Sequence, residues 1–189
     1  MVPWRYNRQV RCRGLAVLAL VLLAVAGCST GAGSTVATST KITEPLPAGP
    51  TPSAISMMVC SRKAAKEINA TIGQKATVGE VAWVQHRYSC RFGYSTGSMV
   101  VSVKELSSWP ETIAYFDSLA TAMGISQKIY GLGQGAFQAT DGSVVVRKDW
   151  KVLVVNTSGL PTEFGVPSAS SGNVALRVSY DILGCWSGD

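Results

Sequence analysis

The chain has 189 residues, 47% of them hydrophobic and 15% charged, a balance that excludes collagen-like, coiled-coil and wholly disordered proteins. Its formal charge of +6 is concentrated in the first 27 residues, which hold Arg5, Arg8, Arg11 and Arg13 and no acid; the rest carries 13 basic and 11 acidic groups. No run of like charge along the chain exceeds a pair, so the many adjacent cations that neutralise nucleic-acid phosphates together are missing and no nucleic-acid partner is expected.

In chain order, residues 1–13 form a positive segment, and every residue from Leu15 to Ala26 is Ala, Val or Leu. A helix that crosses a hydrocarbon core of roughly 30 Å needs about 20 apolar residues, so this shorter run reads as the centre of an export signal. It ends in Val25-Ala26-Gly27-Cys28. The small residues let the signal end in an extended segment that fits a peptidase, and the Cys28 thiol is the nucleophile available for diacylglyceryl transfer. This stretch resembles the lipobox of bacterial lipoproteins, which implies a signal peptide over residues 1–27 and an acylated Cys28 as the first residue of the mature chain. The alternative, an ordinary small residue closing an uncleaved segment, leaves the agreement of leader, lipobox and following linker unexplained. No adjacent Arg pair supports a twin-arginine signal. Each buried CH₂ adds about 0.8 kcal/mol, and two acyl chains make a lasting attachment. The expected partner is therefore the lipid bilayer, held through Cys28 at the outer face of the cell membrane.

From Ser29 to Ser56, 22 of 28 residues are Ser, Thr, Gly, Pro or Ala and none is aromatic. Such a segment buries too little apolar area to offset the ordering of its backbone, so residues 28–56 read as a lipidated cysteine and a tether. A flexible chain of this length spans roughly 30 Å end to end. Proline among Ser and Thr also suits O-glycosylation, with a bare linker the simpler expectation.

Residues 57–189 remain as a domain of ordinary size. Ser61 is placed to cap a helix over residues 62–72, with Ala64, Ala65, Ile68 and Ile72 on one stripe and Gly73 past its end. Aromatic and β-branched residues predict strands at 81–85, 87–94 and, after the turn Ser95-Thr96-Gly97, at 99–106. The capping box Ser108-x-x-Glu111 opens a second helix with Ile113, Phe116, Ala120 and Met123 at helical spacing, stopped at Gly124. Strands are then predicted at 126–130, 137–140, 144–147 and 151–155, with Asp141-Gly142 as a two-residue type I′ turn. A loop over residues 156–172 leads to a last helix over residues 173–183, with Val174, Val178 and Ile182 inward. Short connections favour an α+β domain, an antiparallel sheet of six to seven strands packed with three helices.

Cys12 leaves with the signal and Cys28 with the lipid, so Cys60, Cys90 and Cys185 remain, and an exported chain can close one bridge among them in three ways. Cys60–Cys90, which ties the first helix to the sheet, is preferred; either could instead pair with Cys185. A zinc site finds no CxxC spacing and one histidine, His86, so no metal or other cofactor is expected.

His86 is also the one conventional general base, lying in a strand or the turn between strands. The eleven acids form no persuasive pair for glycoside chemistry, so no catalytic residue is assigned. Gly131-x-Gly133-x-x-Ala136 fits a dinucleotide fingerprint in letters only, because strand-like sequence follows where a helix must; it reads as a turn. The sequons at Asn69 and Asn156 are chance matches in a bacterial lipoprotein. Tryptophans and tyrosines read as packing residues, with Trp186 the best placed for a sugar-binding platform.

The lipobox, the Ser/Thr/Pro linker, a cysteine before the first helix, a cysteine within Tyr88-Ser-Cys-Arg-Phe92, and Gly-Leu-Gly-x-x-Ala-Phe137 before a β-meander together resemble lipoproteins of mycobacteria and their relatives. The resemblance implies a small α+β domain, of which some are likened to the PsbP-like sandwich, and offers no active site to transfer. Where such turns usually carry acids this chain has Gln134 and Gly135, which argues against a cation there. The expected function is a non-enzymatic, membrane-anchored envelope module that binds an envelope protein or a small ligand. The alternatives are a carrier of lipid or another apolar ligand, which calls for a closed apolar cavity, and an envelope hydrolase without a familiar motif.

Overall fold

A computed structural model of the chain describes residues 44–186; the signal segment, Cys28 and the first part of the tether lie outside the described residues. Ten strands and four helices follow one another in this span: α1 (Ala54–Met58), α2 (Arg62–Ile72), β1 (Thr77–Val78), β2 (Ala82–Val84), β3 (Arg87–Tyr94), β4 (Gly97–Glu105), α3 (Trp109–Met123), β5 (Ile125–Ile129), β6 (Gly135–Ala139), β7 (Val144–Lys148), β8 (Lys151–Asn156), β9 (Glu163–Phe164), β10 (Ala169–Ser170) and α4 (Ser171–Cys185). The fold is α+β, as the pattern of elements predicts. One antiparallel sheet runs β1-β3-β4-β8-β7-β6-β5, with β2 also paired to β3; β9 and β10 form a separate small hairpin within the long loop.

Local chemistry sets the helix ends. The Ser61 hydroxyl accepts from the Ala64 N–H at 3.1 Å, and Gly73, at φ +70°, donates to the Asn69 carbonyl and closes α2. Ser108 caps α3 by accepting from the Glu111 N–H, while the Glu111 carboxylate reaches back to the Ser107 N–H, one residue outside the reciprocal capping box. Helix α4 extends beyond both predicted ends, because Ser170 accepts from the Asn173 N–H and starts it two residues early.

Period-two alternation divides the sheet into two faces. Cys90, Phe92, Met99, Val101, Val103, Val144, Val146, Leu153 and Val155 point to one side, where α1, α2 and α4 cover them with Ile55, Val59, Ile68, Ile72, Val174, Val178 and Ile182. The opposite side is covered by α3 alone: Phe137, Ala139, Val145, Val152 and Leu106 meet Tyr115, Phe116, Leu119, Ala120 and Met123. A fully buried side chain of this kind contributes about 1.5 to 3 kcal/mol. The two clusters hold the layers together around the sheet.

Three features depart from the pattern read along the sequence. First, the tight turns with two left-handed residues are Gln85-His86 (φ +50° and +57°) and Asp149-Trp150 (φ +50° and +57°). At Asp141-Gly142 only Gly142 is left-handed (φ +87°); the Asp141 carboxylate accepts from the Ser143 N–H, and this forward bond widens the loop to residues 140–143. Second, a fourth helix, α1, occupies residues assigned in part to the tether. Third, residues 48–53 form a strap over one end of the sheet. Ala48 donates to the Leu106 carbonyl, the Trp83 indole donates to the Pro50 carbonyl, and the buried Glu105 carboxylate accepts from the Ser53 N–H and the Ser56 hydroxyl. Composition does not disclose this strap, because its bonds run to residues far along the chain.

Cys60 and Cys90 form a disulfide with Cα atoms 5.9 Å apart, tying the segment between α1 and α2 to the centre of β3. Cys185 is free, and its thiol donates to the Glu67 carboxylate at 3.3 Å. That bond, then burial and the nearby negative charge raise the thiol pKa above its ordinary value.

Candidate functional site

Helix α3 is narrower than the sheet that it covers. It packs on β6, β7 and β8, so on this face β3 and β4 extend past the helix, with Arg87 and Arg91 exposed, Val100 and Lys104 half-buried and Ser102 buried. The step between helix and sheet is a cleft of about 720 Å³, open to solvent. Its floor is Val100, Ser102, Val152 and Val154, and its helical wall is formed by Tyr115, Leu119, Ala122 and Met123.

Three cations line the side away from the helix. In the β3–β4 hairpin Tyr94 pairs with Gly97, so Arg87 falls opposite Lys104 and Arg91 opposite Val100. Alternation sends Arg87, Arg91 and Lys104 to the α3 face, since Tyr88, Cys90 and Phe92 are used on the other. Arg87 and Arg91 are four positions apart on one strand, about 13 Å, and directly opposed residues stand about 5 Å apart at Cβ. The Arg87–Lys104 pairing sets like charges across the ladder, an arrangement that destabilises a sheet.

None of these three cations makes an ion pair among the described residues, where the recorded salt bridge is Lys148–Asp149 at 3.4 Å. Arg91 donates to the Ser98 hydroxyl at 2.7 Å. Lys104 donates to the Gln85 carbonyl and lies 5.8 Å from the centre of the Tyr115 ring. Asp141, the one acid of the lining, stands beyond the C-terminal end of α3, with an oxygen engaged by the Ser143 N–H. Arg147, on the same face but under the helix, offers a contrast: its guanidinium is 4.7 Å from the Trp109 ring and 5.6 Å from that of Phe116. The cation that α3 covers has aromatic partners, whereas Arg87 faces water.

The sequence-assigned residues lie elsewhere. His86 is exposed in the β2–β3 turn, its ring 5.9 Å from that of Trp83, and it does not line the cleft. The Gly131–Gly133 segment is a turn, with φ of +75° and +60°, that leads into β6; a Cβ on Gly133 would stand 2.8 Å from the Arg147 carbonyl oxygen. Trp186 is no exposed platform. It is 4% exposed, packed in the core beside α4, and its carbonyl accepts from Lys148 at 2.8 Å. Among the described residues no group of three or more His, Cys, Asp or Glu is placed to hold a metal ion.

Reading the chain by runs of charge misses the cationic face, because Arg87, Arg91 and Lys104 are separated in sequence and become neighbours through hairpin register. A signal was present: basic residues and serines at 87, 89, 91, 98, 102 and 104 alternate with buried residues about the Ser95-Thr96 turn. No family model matches the chain, and no curated protein or solved structure matches it.

Proposed function

We propose that the chain is a lipid-anchored, non-enzymatic module of the cell envelope, and that the cleft between α3 and the cationic face of β3 and β4 binds an anionic ligand. The observation that carries this reading is the set of Arg87, Arg91 and Lys104, held on one face with no carboxylate partner among the described residues and with two of them opposed across the ladder. The opposed Arg87–Lys104 pair costs the sheet stability, and a bound anion removes that repulsion. Anchoring through Cys28 rests on the lipobox and its agreement with the leader and linker. A binding role is favoured over hydrolysis because His86 does not line the cleft, whose lining holds a single carboxylate, Asp141. The open, partly cationic cleft differs from the closed apolar cavity of a hydrocarbon carrier.

Native mass spectrometry of the full chain extracted from its own envelope tests both halves of the reading. The expected result is an acyl adduct on Cys28 together with a retained acidic compound that disappears in an Arg87→Thr/Arg91→Gln variant. An unacylated Cys28 contradicts the anchor; a ligand retained equally by the variant contradicts the site.

A further inference from the structure

Resting on the reading of the cleft as a binding site, we infer that its ligand is an anionic amphiphile, an acidic headgroup carrying an alkyl chain. The inference comes from the unlike walls. Arg87, Arg91 and Lys104 line one side, and no acid stands among them. On the other side Leu119, Ala122 and Met123 remain partly exposed beside Val100 and Val154, although α3 is packed on the sheet at its centre.

Each simpler ligand leaves one wall unused. A free phosphate or a small organic acid meets the cations and leaves the apolar wall in water. A neutral hydrocarbon covers that wall, at about 25 cal/mol per Å² of buried apolar surface, and leaves three cations beside it without an anion. A headgroup at Arg87 and Lys104 with its chain running beside α3 toward Met123 uses both. The direction follows from the fold: β4 passes from Ser98 at one end of the cleft to Lys104 at the other, and α3 returns from Tyr115 beside Lys104 to Met123. The opening of about 720 Å³ lies within the range of about 300 to 1,000 Å³ typical of small-molecule sites. An acylated chain at the membrane meets such compounds at high local concentration, and charge-assisted bonds from Arg and Lys select the acidic ones.

Photolabelling tests this with the full acylated chain in phosphatidylcholine vesicles. Three probes carry a diazirine in the alkyl chain: a phosphatidylglycerol, a fatty acid and a phosphatidylcholine. The expected result is labelling of the α3 segment around Leu119 to Met123 by the anionic probes, at least fivefold above the zwitterionic one. The ratio between phosphatidylglycerol and fatty acid identifies whether a membrane lipid or a free acid is preferred. Arg87→Gln/Lys104→Gln should remove that excess, and Ala122→Gln, a neutral polar change on the exposed apolar wall, should reduce it independently; unchanged circular dichroism checks that both variants fold. Equal labelling by all probes, or labelling confined to segments outside the cleft, overturns the inference. So does full competition by excess glycerol phosphate, which has the headgroup chemistry and no chain; that outcome leaves the cleft as an anion site and removes only the amphiphile.

Discussion

Tyr94 and Phe164 meet edge to face at 4.8 Å, and the Tyr94 hydroxyl is buried without a hydrogen-bond partner among the described residues. Burial raises its pKa from 10.0 to about 12. In the unfolded chain the phenol ionises at its ordinary pKa, so between pH 10 and pH 12 the folded state binds more protons and stability falls as pH rises. Below that window the contribution is fully present. Denaturant unfolding of wild type and Tyr94→Phe across this range should show the wild type losing stability more steeply, with the variant at least as stable near pH 8, since the hydroxyl it removes has no partner. Identical slopes would place Tyr94 in water. At this scale the sequence was legible where a residue acts on near neighbours: Ser61, Gly73 and Ser108 end helices as their types require. Trp186 is not legible in this way, because its environment is supplied by Lys148 and the core, both distant in sequence.

Among the elements, the β3–β4 hairpin has the widest consequences. It carries the disulfide on one face and the cationic row on the other. The bridge closes a sequence separation of 30 residues, which in the chain-entropy model stabilises the fold by about 3 to 4 kcal/mol. Replacing Cys60 and Cys90 together by Ala should lower the free energy of unfolding by about that amount, read from denaturant curves, while Cys185→Ser should leave the bridge intact. A double variant as stable as the wild type would contradict the pairing. Strand positions were largely readable, because alternation and β-branched runs are local signals. The turns were harder. Gln85-His86 and Asp149-Trp150 adopt left-handed angles with no glycine, imposed by the twist of the strands that they join, whereas the strong Asp141-Gly142 signal was redirected by one side-chain bond.

For the molecule as a whole, helices on both faces of a single sheet leave uneven cover. Helices α1, α2 and α4 close one side, and α3 closes only part of the other, which exposes the cationic strands. The fold class followed from element order, but this inequality did not, since it depends on which strands α3 crosses. The strap over residues 48–53 likewise orders part of a segment whose composition reads as a tether, by bonds to Trp83, Glu105 and Leu106. If the cationic face exists for a ligand, its cations serve binding at a cost to the sheet, and removing one should relieve the opposed pair. Equilibrium unfolding of the full chain freed of ligand, wild type against Arg87→Thr, measures this directly. The expected result is an unfolding free energy equal to that of the wild type or higher by up to about 1 kcal/mol. A loss of more than about 1 kcal/mol would show that Arg87 supports the fold, and the face would then need no ligand to explain it.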